Sequence, residues 1–493
     1  MRDAGLGSWP ARRARAAPEH TAIVHHGLRQ SYAELDAHCS RLAGGLRVLG
    51  VQRGHRVGYL GPNHPAFLYC LFACGALGAI FVPLNTRLVA GELEFIAGDA
   101  EIDVLVHSAE HAEVAAAIAT VRPGLRLIPV DELDSVTGPD TVDEPVTLED
   151  PAVILYTSGT TGRPKGALLS HGNITWNALS VIVDVDLAST EVTLVNAPLF
   201  HSAALGMTCL PTMLKGGSVV LEESFDVART FQVIAEERVT MAFGVPTMFD
   251  ALARSPLWPH ADLSSLRYLL CGGAPVPESL IERYGQRGLA FMQGYGMTEA
   301  APGVLLLAAQ DSARKVGTAG KPAFFTDVRL SREDGSPAAA GEPGEVQVSG
   351  PNVMSEYWRR PDATERAFTE DGAFRSGDIA IADDDGFYRV VDRSKDMYIS
   401  GGENVYPSEV ESAIHAHPDV LDCAVIGVAD EKWGEVGRAL VVPDAGFSEQ
   451  ALIEFLDGRL ARYKLPASVL IVDKLPRNAA GKLDKAALRR DYS

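Results

Sequence analysis

The sequence has no CxxC pair, no Cys/His cluster at zinc-finger spacing, no internal repeat, no low-complexity tract, and no lysine before Lys165. Each absence excludes something. The cysteines Cys39, Cys70, Cys74, Cys209, Cys271 and Cys423 are scattered, which excludes a zinc module and fits buried free thiols in a reducing, cytoplasmic compartment. Net positive charge is also missing. With 44 Lys+Arg against 64 Asp+Glu the chain carries −20, so neither nucleic acid nor an anionic membrane surface is expected as its main partner. Arg12, Arg13 and Arg15 are not followed by an apolar stretch, so no secretory signal is expected. The one strongly apolar run, Ala66 to Val82, contains Gly75 and Gly78 and is bracketed by Pro65 and Pro83. It is short for a bilayer and predicts a buried helix leading into a core strand, not an integral membrane segment.

At 493 residues the chain exceeds what one core usually supports, so at least two domains are expected. Hydrophobic content of 46% and charged content of 22% are those of a globular protein. Between residues 19 and 130 short strands alternate with helices, including a capping box at Ser31-Tyr32-Ala33-Glu34 and strands at Val57–Leu60 and Val104–Val106. This alternation predicts an α/β sandwich with a mainly parallel sheet. Residues 131–150 read as a surface connection. A second αβ unit is expected to open after it and to continue through strands at Val192–Val195, Ser218–Leu221, Met241–Phe243 and Tyr268–Cys271. Beyond Gly344 shorter, alternating strands predict a small β-rich subdomain. The last hundred residues predict a compact α+β unit, with a helix capped by Ser408–Glu411, a strand at Cys423–Ile426 and a helix over Leu452–Arg462.

Following the apolar run Ala152–Leu155 comes Tyr156-Thr157-Ser158-Gly159-Thr160-Thr161-Gly162-Arg163-Pro164-Lys165-Gly166. Glycines admit backbone N–H groups close to an anion, hydroxyls add rotatable donors, and Lys165 adds a point charge. The stretch suits a phosphate grip, although it is not a Walker A loop, because Arg163-Pro164 follows Gly162. On composition alone a plain surface loop remains open. Gly294-Tyr295-Gly296-Met297-Thr298-Glu299 offers an aromatic face for a purine, a hydroxyl donor and a hard oxygen ligand for Mg²⁺. Ser376-Gly377-Asp378 offers a carboxylate for ribose hydroxyls, or equally an Asx turn. Ser400-Gly401-Gly402-Glu403-Asn404 and Arg477–Lys482 are weak signals singly.

Taken in order, the loop at 156–166, Pro198-Leu199-Phe200-His201, Gly294–Glu299, Ser376–Asp378, Asp392–Asp396, Ser400–Asn404 and Pro476–Lys482 closely resemble the adenylate-forming family. That family includes acyl-CoA synthetases, adenylation domains of peptide synthetases and beetle luciferases. The resemblance spans essentially the whole chain. Ser400–Asn404 with Tyr406-Pro407, and Asp430–Glu435, are most similar to the acyl-CoA synthetases.

The resemblance implies a large N-terminal domain (1–394) of αβ sandwich subdomains plus a small β-rich subdomain. It also implies a small mobile α+β C-terminal domain (395–493), with the hinge at Lys395. It implies ATP, Mg²⁺ and CoA: a carboxylate attacks the α-phosphate of Mg-ATP, and the CoA thiol then displaces AMP. Thr157, Ser158, Gly159, Thr160, Thr161, Gly162 and Lys165 would hold the outer phosphates. Gly272, Gly273, Ala274, Pro275 and Tyr295 would frame the adenine. Thr298 would touch the α-phosphate, Glu299 would hold Mg²⁺, and Asp378 and Arg393 would bind ribose. Lys482 would bridge carboxylate and α-phosphate during adenylation, while His201, Lys395, Gly401, Gly402 and Glu403 would serve the thioester step. Ala203, Ala204, Val245, Ala300 and Ala301 would line the acyl pocket.

These pocket positions are small and apolar, and Gln293-Gly294 stands where malonyl-CoA synthetases tend to carry an arginine. A buried second carboxylate without a cation would be strongly disfavoured, so an apolar monocarboxylic acid, fatty or aryl, is expected. One departure is Ala204, where the family commonly has glycine after its histidine motif. A carrier protein as acyl acceptor, a homodimer, and an adenylate-binding protein that has lost the second step are the readings left open.

Overall fold

The computed structural model describes residues 4–139, 144–157, 163–273, 276, 278–332, 334–393, 398–405, 407–476 and 485–493. The helix Pro65–Leu77 shows how the largest core is made. Pro65 at its start needs no N–H partner, the His64 side chain accepts from Ala66 N–H, and Gly78 ends it at φ +63°. Phe67, Leu68, Leu71 and Phe72 on this helix are each at most 2% exposed. Burying each contributes roughly 1.5–3 kcal/mol. The strand Ile80–Pro83 follows at once, as the sequence predicts. Among the described residues no helix is long and apolar enough to cross a membrane.

Among the described residues, a nine-stranded sheet orders as Lys321–Pro322, Gly303–Leu307, Phe291–Gly296, Tyr268–Gly272, Met241–Gly244, Val192–Val195, Ser218–Leu221, Thr21–His25 and Leu28–Ser31. Its six inner strands are parallel, with antiparallel strands at the edges. A second, seven-stranded sheet orders as Glu356–Tyr357, Lys165–Ser170, Pro151–Thr157, Ile80–Pro83, Arg56–Leu60, Val104–His107 and Arg126–Pro129. A four-stranded sheet contains Asp327–Ser331, Pro343–Ser349, Phe374–Ala382 and Tyr388–Arg393. The chain divides into two compact units. One holds residues 1–86, 97–155 and 166–391; the other holds 87–96, 156–165 and 392–493. The second unit has its own sheet, in which Gly434–Pro443 pairs with Val420–Asp430, Tyr398–Ser400 and Ser468–Ile471.

The capping box opens the helix Tyr32–Val48, with Ser31 accepting from Glu34 N–H and Glu34 accepting from Ser31 N–H at 2.8 Å. Four expectations are corrected. The glycine-rich loop does not open a second αβ unit. Both strands beside it belong to the sheet of residues 56–107, and Thr21–His25 joins the later strands instead. The β-rich part begins at Asp327, ahead of Gly344, because a hairpin partner is needed for Pro343–Ser349. The helix expected from Ser408 begins at Pro407. The helix expected over Leu452–Arg462 is Glu449–Leu456 and stops before Arg462, where Asp457 is extended and Gly458 takes φ +77°.

Candidate active site

The glycine-rich stretch is flanked by two strands that are neighbours in one sheet. Thr157 ends Pro151–Thr157, and Lys165 starts Lys165–Ser170. Ser158, Gly159, Thr160, Thr161 and Gly162 lie outside the described residues. Just behind the loop, Trp358 N–H donates to Gly166 O at 2.7 Å, so the edge strand Glu356–Tyr357 braces the returning chain.

That edge strand also reaches the second motif. Thr298 and Glu299 occupy a single helical turn, Thr298–Ala300, after the strand Phe291–Gly296. The buried Tyr357 hydroxyl donates to Glu299 Oε1 at 2.7 Å, and Met354 N–H donates to Glu299 O at 2.8 Å. One carboxylate oxygen is thereby oriented while the group keeps the hard-oxygen chemistry that Mg²⁺ requires. Ser202 Oγ lies 3.3 Å from Thr298 Oγ1. Neither Tyr357 nor Ser202 stands out in the sequence. A tyrosine 58 residues from its carboxylate carries no local signal.

Tyr295 and Asp378, expected at the base and the ribose, are brought together: the Tyr295 hydroxyl donates to Asp378 Oδ2 at 2.7 Å. Asp378 is held from below by Ser376, whose Oγ accepts from Asp378 N–H at 3.0 Å and donates to Val346 O at 2.7 Å. Arg393 closes the strand Tyr388–Arg393, its side chain lying outside the described residues. Gly272 ends the parallel strand Tyr268–Gly272, and Gly273 after it takes φ +83°. A Cβ on Gly272 would lie 3.0 Å from Gly294 O. Ala274 and Pro275 lie outside the described residues.

His201 precedes a short turn, Ser202–Ala204, and a π-helical turn, Leu205–Cys209, before Leu210–Lys215. Such π turns are frequent at functional sites. Here the extra residue brings Gly206 against the strand-turn carrying Ala301: a Cβ on Gly206 would stand 2.7 Å from Ala301 O and 2.7 Å from Pro302 Cδ. Asn177 locks this approach, donating to Gly206 O at 2.8 Å and accepting from Gly303 N–H at 2.9 Å. From the far side Asn352 donates to Ala300 O at 2.8 Å and Gly303 O at 2.9 Å. The close-packed glycine is therefore Gly206, two residues beyond Ala204.

Of the expected acyl-pocket residues, Ala301 backs onto Gly206, and Val245 Cγ1 would lie 3.6 Å from a Cβ on Gly273. Ala203 is half-buried and Ala204 buried in the turn after His201. Ala300 is fully buried among Val304, Leu330 and Val346. Sequence reasoning missed Met207, whose Sδ lies 3.4 Å from the Cβ position of Gly303 and whose Cε lies 4.0 Å from that of Gly294. The Gln293 side chain is 7% exposed, and its Nε2 has no hydrogen-bond partner among the described residues.

In the second unit the two C-terminal signatures meet. Gly401 N–H donates to Trp433 O at 2.9 Å, and Ile399 N–H donates to Glu435 Oε2 at 2.8 Å. Gly401 and Gly402 take φ +58° and +83°, and a Cβ on Gly401 would be 2.8 Å from the Trp433 ring. Glu403 is buried and pairs with Arg87. Close by in sequence, Glu92 accepts from Lys464 Nζ at 2.6 Å, and Glu409 accepts from the same nitrogen at 2.7 Å. Burial pushes the Glu409 carboxyl up to about 7, against the pull of Lys464, with Glu92 beside it pushing the same way. Lys395 and Lys482 lie outside the described residues.

Within the first unit a tyrosine braces the Glu299 carboxylate and a second tyrosine pairs with Asp378, and the second unit carries a buried glutamate after two glycines; these are the motifs that resemble the adenylate-forming family. The sequence model of the AMP-binding enzyme family matches residues 10–358, and that of the AMP-binding enzyme C-terminal domain matches 409–482. The chain belongs to this family, in the acyl-CoA synthetase branch, whose members join a carboxylic acid to CoA using ATP and Mg²⁺.

Among relatives, feruloyl-CoA synthases of Amycolatopsis sp. and Streptomyces sp. are each 56% identical over 494 residues, covering 100% of both chains. A long-chain-fatty-acid–CoA ligase of Mycobacterium tuberculosis is 40% identical over 498 residues, covering 99% of this chain and 98% of its own. A double mutant of the Bacillus subtilis o-succinylbenzoate CoA synthetase, solved with a product analogue, superimposes with TM-score 0.90 at 34% identity, covering 98% of each chain. The same synthetase with ATP and magnesium gives TM-score 0.74, covering 98% of this chain and 99% of that one.

Proposed function

We propose that this acyl-CoA synthetase activates an aryl monocarboxylic acid of the hydroxycinnamate type, ferulate being the leading substrate. Full-length identity of 56% to feruloyl-CoA synthases carries this reading. Small, uncharged side chains and glycines around Met207, Gly294, Gly303 and Ala301 support it.

The first half-reaction brings a carboxylate to a polyanion, so charge must be neutralised as it develops. In this reading Thr157–Lys165 hold the outer phosphates and Thr298 meets the α-phosphate. Glu299, steadied by Tyr357, is the ligand for Mg²⁺, which supplies charge neutralisation on the phosphates. Gly272–Pro275 and Tyr295 frame the adenine; Asp378 and Arg393 take the ribose. Lys482 arrives for adenylation and leaves for thioester formation, as the C-terminal domain (395–493) pivots at Lys395. His201, Gly401, Gly402 and Glu403 serve the second step, with Arg87 holding the Glu403 carboxylate. Six buried free cysteines support a cytoplasmic setting.

The test offers ATP, Mg²⁺ and a panel of cinnamic, benzoic and fatty acids, with CoA or a holo-carrier protein as acceptor. AMP formation and thioester are measured, and light scattering distinguishes monomer from homodimer. Ferulate and its close analogues should show the highest kcat/KM with CoA. A preference for fatty acids would overturn the aryl assignment, and acyl transfer only to the carrier would overturn CoA as acceptor. Lys482→Ala should abolish adenylate formation yet leave thioester formation from supplied acyl-adenylate intact; equal loss in both steps would refute the two-state role of Lys482.

A further inference from the structure

A second group of ligand-bearing side chains lies in a part of the large unit that the adenylation chemistry does not use. The strand Thr21–His25 turns through His26 and Gly27 into Leu28–Ser31 and lies parallel to Ser218–Leu221, with His25 in register with Leu221. One ligand atom from each of His25, His26 and Glu223 lies within 4.8 Å of the other two. We propose that these three residues bind a divalent transition-metal ion, with Zn²⁺ the ion their chemistry suits.

The donors are oriented for it. His25 Nδ1 lies 3.1 Å from Leu221 O. A carbonyl only accepts, so Nδ1 carries the proton and the lone pair is left on Nε2. This is how a metal-binding imidazole is usually fixed, with its other nitrogen donating to a backbone carbonyl. His64 packs edge-on to the His25 ring with centroids 5.0 Å apart. Its Nδ1 accepts from Ala66 N–H at 3.1 Å, so that nitrogen is committed and His64 supports the site without ligating.

His26, in the turn after the strand, takes φ +48°, and its ring lies against that of His25, the last strand residue, with centroids 4.1 Å apart. Its Nε2 lies 3.1 Å from Glu223 Oε1. Two tetrahedral Zn²⁺ ligands with bonds of about 2.0–2.2 Å stand roughly 3.3–3.6 Å apart, so the pair is already near that spacing. Glu223 follows a fixed point. Glu222 N–H donates to Val195 O at 3.0 Å, Asn63 donates to Glu222 O at 3.1 Å, and the Glu222 side chain holds Arg229 at 2.8 Å.

Two imidazoles and one carboxylate favour Zn²⁺, Ni²⁺ or Cu²⁺ over Mg²⁺ or Ca²⁺, which take oxygen ligands. The site is therefore chemically separate from the Mg-ATP site. Bound metal would staple the hairpin turn to the end of Ser218–Leu221.

The test uses the full-length enzyme after chelation, titrated with Zn²⁺ by calorimetry and with Co²⁺ by visible absorption, beside Glu223→Gln and His26→Asn. Asparagine tolerates the left-handed φ, so the second variant keeps the turn. The wild type should bind one equivalent of Zn²⁺ that excess Mg²⁺ does not displace, show tetrahedral Co²⁺ bands, and gain thermal stability. Each variant should lose about tenfold or more in affinity, and the Co²⁺ bands, while keeping wild-type circular dichroism and ligase activity. Equal Zn²⁺ affinity in wild type and both variants would overturn the proposal, as would a folded wild type with no stoichiometric site.

Discussion

Replacing Tyr357 with phenylalanine removes one oxygen and leaves the ring. That oxygen donates to Glu299 Oε1 at 2.7 Å, from a side chain only 7% exposed. Tyr357 is paired with Ala167 in the strand that follows the glycine-rich stretch, and the next residue, Trp358, holds Gly166. One short edge strand thus sets both the carboxylate and the returning end of the loop. A hydrogen bond to a charged group contributes about 1.5–3 kcal/mol, and each 1.4 kcal/mol is a factor of ten. If that orientation is used at the adenylation transition state, Tyr357→Phe should lower kcat/KM for adenylate formation roughly 10- to 150-fold. ATP–pyrophosphate exchange measures this step. Consumption of preformed acyl-adenylate by CoA measures the other, which should change little. The variant should also need more Mg²⁺ for half-maximal exchange. Wild-type exchange, or equal loss in the two half-reactions, would refute the reasoning; thermal unfolding run alongside reports any loss of fold.

Two further perturbations follow from the packing. Gly206→Ala places a methyl 2.7 Å from Ala301 O and Pro302 Cδ, where backbone and a proline ring must give way. Overpacking of this kind costs about 1–3 kcal/mol, so thermal stability should fall and KM for the acid should rise, bulky acids suffering most. Unchanged KM across the acid panel would remove Gly206 from the pocket wall. Lys464→Met strips the cation shared by Glu92 and Glu409. In the wild type the Glu409 carboxyl is raised from 4.5 to about 7 by burial, so the folded state holds a proton the unfolded state has released. That stability is present below 4.5 and lost as pH rises to about 7, after which the curve is flat for this group. Without Lys464 the buried carboxylates must keep a proton above pH 7. The stability gap to wild type should then widen by about 1.4 kcal/mol per pH unit. Hydrogen exchange of residues 398–471 at pH 7–9 checks it, and parallel curves for the two proteins would refute it.

Local chemistry wrote much of this protein into its sequence. Ser31 and Glu34 cap a helix because both partners lie within one turn. The run from Ala66 to Val82 becomes a buried helix and strand because its prolines and glycines set both ends. The ordered glycine, threonine and carboxylate motifs identified the family and the adenylation chemistry. Tertiary structure alone decided which strands pair. An apolar run signals a buried strand but not its neighbour, so Pro151–Thr157 joins residues 56–107 while Thr21–His25 crosses to the later sheet. It also decided the supports of the site. Tyr357 on Glu299, Asn177 and Asn352 around Gly303, and Arg87 on Glu403 join residues 49 to 316 apart. Their spacing has no helical or strand period, because these contacts are made by packed sheets and not by the chain's own local geometry.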